Sequence, residues 1–125
     1  MDVDSRLACK LQNVIKSHGK LIIAFDFDDT VYPLSGDDTV CLEVRETLKE
    51  AQEQGHTLIC YTCRSEQEEV FQFCQGEGIY YERFNENHLQ LDGQHGKVFY
   101  NIFLDDKCGL VQALTTLQEV LRYNK

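Results

Sequence analysis

Apolar residues recur along this chain with two alternating periods. Leu7, Leu11, Val14 and Ile15 stand at helical spacing with Gly19 as a stop, so residues 4 to 17 predict an amphipathic helix. The next apolar segment, LIIAFDF (21 to 27), is continuous rather than alternating, the pattern of a strand buried on both faces. Cys41, Val44, Leu48 and Ala51 predict a second helix ending at Gly55, and TLICYT (57 to 62) a second buried strand. Ser65 and Glu68 have the form of a capping box for a third helix, which should turn Val70, Phe71 and Cys74 inward and end near Gly76. GIYYERF (78 to 84) reads as a shorter third strand and VFYNIFL (98 to 104) as a fourth. Leu110, Leu114, Leu117 and Leu121 give the last helix its stripe. Residues 85 to 97 read as a long loop, and long loops inside compact domains often carry function.

Strands alternating with helices predict the α/β class. The expectation is a three-layer Rossmann-like parallel sheet in the order 4-1-2-3, with right-handed crossovers covering both faces. At 125 residues the chain is long enough for one core, so 1–125 is read as a single domain, its N-terminal helix (1–19) preceding the core. In open α/β sheets ligands bind beyond the carboxyl ends of the strands. Polar residues gather there: Asp26 and Asp28 after the first strand, Thr62 and Arg64 after the second, Asp105 and Asp106 after the fourth.

Charge narrows the partners. A net charge of −9 disfavours a broad nucleic-acid or anionic-membrane surface, since both are polyanions, but admits a small phosphorylated substrate held by a few local cations. The first dozen residues contain no apolar h-region and no stretch is long enough to span a bilayer. With no secretory signal, the six cysteines are expected to be reduced thiols in a cytoplasmic protein, several acting as small hydrophobes on helix and strand faces.

The chemistry lies in DFDDT (26 to 30) and FLDD (103 to 106). Like charges crowded at the tip of a buried strand need a cation or a shared proton, and a second acid pair at another strand end favours a hard divalent cation, Mg²⁺, for which carboxylates and a carbonyl are suitable donors. The plainer alternative is that these acids cap helices or begin loops. That reading suits one such cluster better than two at equivalent strand ends.

Asp26-Phe27-Asp28-Asp29-Thr30, then Thr62, then Lys97, then Asp105-Asp106 resemble, in order, the four motifs of the haloacid dehalogenase superfamily. More narrowly, DFDDTVYP, GHTLICYTCR and NIFLDDK are similar to its short capless hydrolases from bacteria and phages. The resemblance implies a Mg²⁺-dependent phosphatase. Asp26 would be the nucleophile that forms an aspartyl-phosphate, and Asp28 the acid that protonates the leaving oxygen and then deprotonates the hydrolytic water. Asp26, the Asp28 carbonyl, Asp105 and Asp106 would hold Mg²⁺. Thr62 and Lys97 would hold the phosphate oxygens, with Lys107 as an alternative to Lys97. Thr30 and Arg64, the latter a planar anion fork, are candidates for substrate contacts, as are Asn85, Asn87 and His88 if they are more than solvated loop residues. Asp29 stands where the family commonly has Gly, and is read as a bystander. Only 33 residues separate Asp28 from Thr62 and 34 separate Thr62 from Lys97, too few for a cap domain, so an open cleft is expected, suited to a large substrate or to closure by a second copy.

Two rival classes share parts of this pattern. A receiver-like phospho-accepting module also joins an acid pair, a Thr and a Lys around Mg²⁺, but with the acid pair after the first strand and a lone acceptor later. A slow or idle member would bind a phosphorylated ligand or partner in the same cleft. Cys60 and Cys63 form a CxxC, yet there is no second pair to complete a zinc site and Cys60 lies inside a strand rather than at a helix start. The four histidines show no metal-ligand spacing, His95 alone standing near Lys97.

Overall fold

The computed structural model describes residues 5–86 and 98–125. Their order is α1 (Ser5–His18), β1 (Ile22–Phe25), α2 (Thr39–Glu53), β2 (Thr57–Cys60), α3 (Gln67–Gly76), β3 (Arg83–Phe84), β4 (Ile102–Leu104) and α4 (Leu110–Tyr123). The strands form one parallel sheet in the order β3-β2-β1-β4, which read from the other edge is 4-1-2-3.

Strand alternation divides the apolar residues between the two faces of this sheet. Ile23 and Phe25 of β1, Leu58 and Cys60 of β2, and Ile102 and Leu104 of β4 belong to one large core that also contains the apolar stripes of all four helices, among them Leu11, Leu48, Val70 and Leu117. Ala24 and Ile59 form a separate small cluster with Val98, against which Ile22, Tyr100 and Phe103 pack. Among the described residues the helices therefore share one face, and the expected three layers are reduced to two. Continuous apolar strands do not distinguish these arrangements, because the second face is buried here too: Ala24 and Ile59 have no exposed surface.

Several local expectations shift for physical reasons. Ser65 does not cap α3: the cap position is Glu66, whose carboxylate accepts from Ser65 N at 3.1 Å, so the Ser stands one residue too early for the box. Phe71 is exposed, edge-on to Tyr81, while Phe73 turns toward the core, because positions 70, 73 and 74 rather than 70, 71 and 74 face the sheet. The third and fourth strands pair over two and three residues only. Ile79 joins the core instead from the turn that follows α3, its N–H bonded to Cys74 O at 2.8 Å. Asn101 starts β4 with its side chain, Oδ1 accepting from Ile22 N at 2.7 Å while its own N–H donates to Ile22 O.

Gly55 adopts φ +93°, which lets the chain reverse from α2 into β2 within a few residues. His56 follows, buried, with Nδ1 accepting from Leu21 N at 2.9 Å. Burial, then Lys20, holds its pKa below the ordinary 6.5. A His whose folded pKa is depressed contributes stability that is present above about 6.5 and lost as pH falls below it. Protonation also removes the acceptor from a buried N–H, which costs on the order of 1 kcal/mol or more. Urea midpoints at pH 7.5 and 5.5 should therefore fall more steeply for the wild type than for His56→Gln, and parallel slopes would contradict this role.

Candidate functional site

Register builds the site. Phe25 pairs with both Cys60 and Leu104, so the residues that follow on β1, β2 and β4 leave the sheet side by side. The ladder continues one step beyond the strands, Asp26 N donating to Leu104 O at 2.9 Å and Tyr61 N to Phe25 O at 2.9 Å. Asp26, Asp105 and Asp106 thereby each offer a carboxylate oxygen within 4.8 Å of the others. Burial raises the Asp26 pKa above 3.8, and Asp105 and Asp106 push the same way, whereas the Phe27 N–H and the Thr62 hydroxyl, both hydrogen-bonded to its carboxylate, oppose them. Three hard oxygen donors whose charges repel one another form a donor set that fits Mg²⁺.

Each acid is held from outside. Lys107 N and Cys108 Sγ donate to the Asp105 carboxylate at 3.3 and 3.4 Å. Asp106 N donates to Thr30 Oγ1 at 3.0 Å, and its carboxylate accepts from Lys107 Nζ at 3.3 Å. Thr30 is fully buried. Its expected substrate contact is thus corrected: its hydroxyl ties the β4 loop to the β1 loop and positions Asp106.

Asp28 lies in the same cleft but outside the carboxylate triad. Arg64 Nε reaches both of its oxygens at 3.1 and 3.0 Å, and Nη2 reaches Oδ1 at 2.9 Å. The guanidinium also lies over Phe27 and Tyr32, 5.3 and 5.8 Å from their centroids. Those rings are stacked at 5.4 Å, with Phe73 edge-on to both. Arg64, expected as an anion fork for substrate, is here engaged by Asp28 and braced from beneath by aromatic faces.

Asp29 is not a bystander. It adopts φ +58°, the left-handed conformation for which Gly is the usual choice and Asp a tolerated one. Its N–H donates to Tyr32 O at 2.7 Å and its Oδ1 accepts from Ser35 N at 2.8 Å, so its side chain closes the loop that leaves the site. Asn85 has a second such φ, +57°, and its Oδ1 accepts from Thr62 N at 2.7 Å, fixing the backbone beside the Thr62 hydroxyl. Asn85 is therefore a positioning residue. An Asn in a loop beyond a strand end was the only signal the sequence offered for it. Lys97, Asn87, His88 and His95 lie outside the described residues.

These groups line an open cleft of about 650 Å³ with Asp26, Asp28, Asp29, Thr62, Asp105 and Lys107 on its polar side and Leu34, Tyr61 and Phe103 on its apolar side. Lys107, the alternative phosphate lysine, reaches this cleft. Of the CxxC pair, Cys60 is buried, which pushes its thiol well above the ordinary 9.0, and Cys63 is exposed; both are free thiols. Among the described residues no helix is long and apolar enough to cross a membrane.

No protein-family model and no curated protein matches this chain. A conserved protein coded by a locus of Bacteroides thetaiotaomicron has a similar solved structure, with a TM-score of 0.65 and 23% identity over 85% of this chain and 93% of that one. At that identity the likeness shows a shared fold.

Proposed function

We propose that the chain is a capless, Mg²⁺-dependent phosphohydrolase of the haloacid dehalogenase superfamily acting through Asp26. The observation that carries this reading is the convergence of the Asp26, Asp105 and Asp106 carboxylates within 4.8 Å, with the Thr62 hydroxyl on Asp26. Asp26, Asp105 and Asp106 would hold the ion together with the Asp28 carbonyl, and Mg²⁺ bound there supplies neutralisation of the phosphoryl oxygens.

The chain's own groups perform the transfer. An Asp26 oxygen attacks phosphorus in line as the bond to the leaving oxygen breaks. Asp28 gives that oxygen its proton, then takes one from the water that attacks the aspartyl-phosphate, releasing inorganic phosphate and restoring both carboxyl groups. Thr62 and Lys97, or Lys107 in its place, hold the phosphoryl oxygens. Hydrolysis of p-nitrophenyl phosphate with Mg²⁺, abolished by EDTA, is the expected result, and activity that persists in EDTA contradicts the proposal.

The Asp28–Arg64 ion pair favours a second reading. Both Asp28 oxygens are engaged, and proton transfer requires the guanidinium to release one of them. If it does not, the cleft binds a phosphorylated ligand with slow turnover. Tight binding of phosphoesters with Mg²⁺ and no hydrolysis across a broad panel would select that reading.

A further inference from the structure

One wall of the cleft has no part in phosphoryl transfer. Tyr61 immediately precedes Thr62 and is held at the end of β2 by its N–H bond to Phe25 O. Phe103 stands on β4 two residues before Asp105. Their rings are 5.6 Å apart at an interplanar angle of 53°, and Tyr100 extends the row 5.2 Å beyond Phe103. The row begins beside the reacting carboxylate and runs along the sheet face opposite the helices. Tyr61 keeps 37% of its surface accessible, and Leu34, 58% exposed, lines the same cleft.

The polar lining limits charge. Among the described residues it contains four carboxylates, Asp26, Asp28, Asp29 and Asp105, and one cation, Lys107, already paired with Asp106. A second phosphate on the substrate would meet carboxylates and no free cation among these residues, whereas an uncharged flat ring would meet aromatic faces. A volume of about 650 Å³ is ample for a phosphomonoester carrying such a ring.

Resting on the phosphohydrolase reading, we infer that the substrate is a monophosphate ester whose alcohol carries a planar aromatic ring, a nucleobase or an aryl group, and that Tyr61 and Phe103 are its specificity-determining contacts. Ring against ring in offset or edge-on arrangement supplies the selectivity. Leaving-group reactivity also changes kcat/KM, so the comparison must hold it constant.

Two matched pairs do so: adenosine 5′-monophosphate against ribose 5-phosphate, and benzyl phosphate against cyclohexylmethyl phosphate. With Mg²⁺, the ring-bearing ester of at least one pair should show kcat/KM about tenfold above its partner, and the ratio should fall toward one in Tyr61→Leu, a substitution that retains apolar bulk. The nucleotide pair alone showing the effect assigns a nucleobase, and the benzyl pair alone an aryl group. Ratios near one in both pairs, or a ratio unmoved in Tyr61→Leu and in Phe103→Leu, overturn the inference while leaving Mg²⁺-dependent hydrolysis intact. If no ester of either pair is hydrolysed, and p-nitrophenyl phosphate is not hydrolysed either, the phosphohydrolase reading fails separately. The same ratios, taken then from calorimetric Kd values on the wild-type protein and on Tyr61→Leu and Phe103→Leu, decide the aromatic contact by the same criteria.

Discussion

Asp26→Asn is expected to reduce Mg²⁺-dependent phosphatase activity on the order of 10³-fold or more, because the amide is not a nucleophile toward phosphorus and no neighbouring group takes its place. The same substitution should stabilise the metal-free fold. Burial raises the Asp26 pKa above 3.8, and Asp105 and Asp106 push the same way. A carboxyl whose folded pKa is raised costs stability once it ionises, so the cost grows as pH rises above 3.8 through the folded value and is absent below. Removing the charge should raise the Tm in EDTA at pH 7 by a few degrees, with a difference that shrinks toward pH 3.5. Mg²⁺ should reverse the order, since the wild type gains from binding and the variant has lost a ligand. Thermal unfolding of both proteins with EDTA and with Mg²⁺ measures this directly, and a wild type that is the more stable in EDTA would contradict the electrostatic account.

Asp28→Asn carries the second large effect, and its size should depend on the leaving group. General acid catalysis contributes roughly 10²- to 10⁴-fold when the departing oxygen needs a proton. An alkyl phosphate needs one; p-nitrophenolate leaves as the anion. The first transfer should therefore suffer far more with the alkyl ester than with p-nitrophenyl phosphate. With the latter, the variant should show a burst of nitrophenolate followed by slow turnover, because Asp28 is still required to activate water against the aspartyl-phosphate. Equal loss on both esters, with no burst, would remove Asp28 from the acid–base role. It would leave that residue as a partner that holds Arg64 over Phe27 and Tyr32.

The parts of this site written in local sequence were legible. Continuous apolar runs marked β1, β2 and β4, and the acids stood directly after them. Once the strands pair in register, Phe25 with Cys60 and Leu104, adjacency of Asp26, Tyr61 and Asp105 follows from the chain. What sequence pattern could not supply were partnerships between loops. Thr30 and Asp106 are 76 residues apart, Asp28 and Arg64 are 36 apart, and Thr62 and Asn85 are 23 apart. Each depends on where tertiary packing places two loop ends, which no periodicity reports. Asp29 illustrates the difference. Its place in the motif suggested a bystander, but its φ of +58° and its bond to Ser35 N make it the closure of a loop. Helix placement failed for a related reason: a strand buried on both faces reads the same whether or not a helix lies on each.

The central claim is that Asp26 accepts the phosphoryl group beside a metal held by Asp26, Asp105 and Asp106. A crystal structure of the protein with Mg²⁺ and beryllofluoride, the phosphoryl mimic that attaches to a nucleophilic carboxylate, tests it most directly. The expected result is beryllium bonded to an Asp26 oxygen, with the metal bound by Asp26, Asp105 and Asp106. Beryllofluoride on another residue, or a metal bound away from these three carboxylates, would contradict the account.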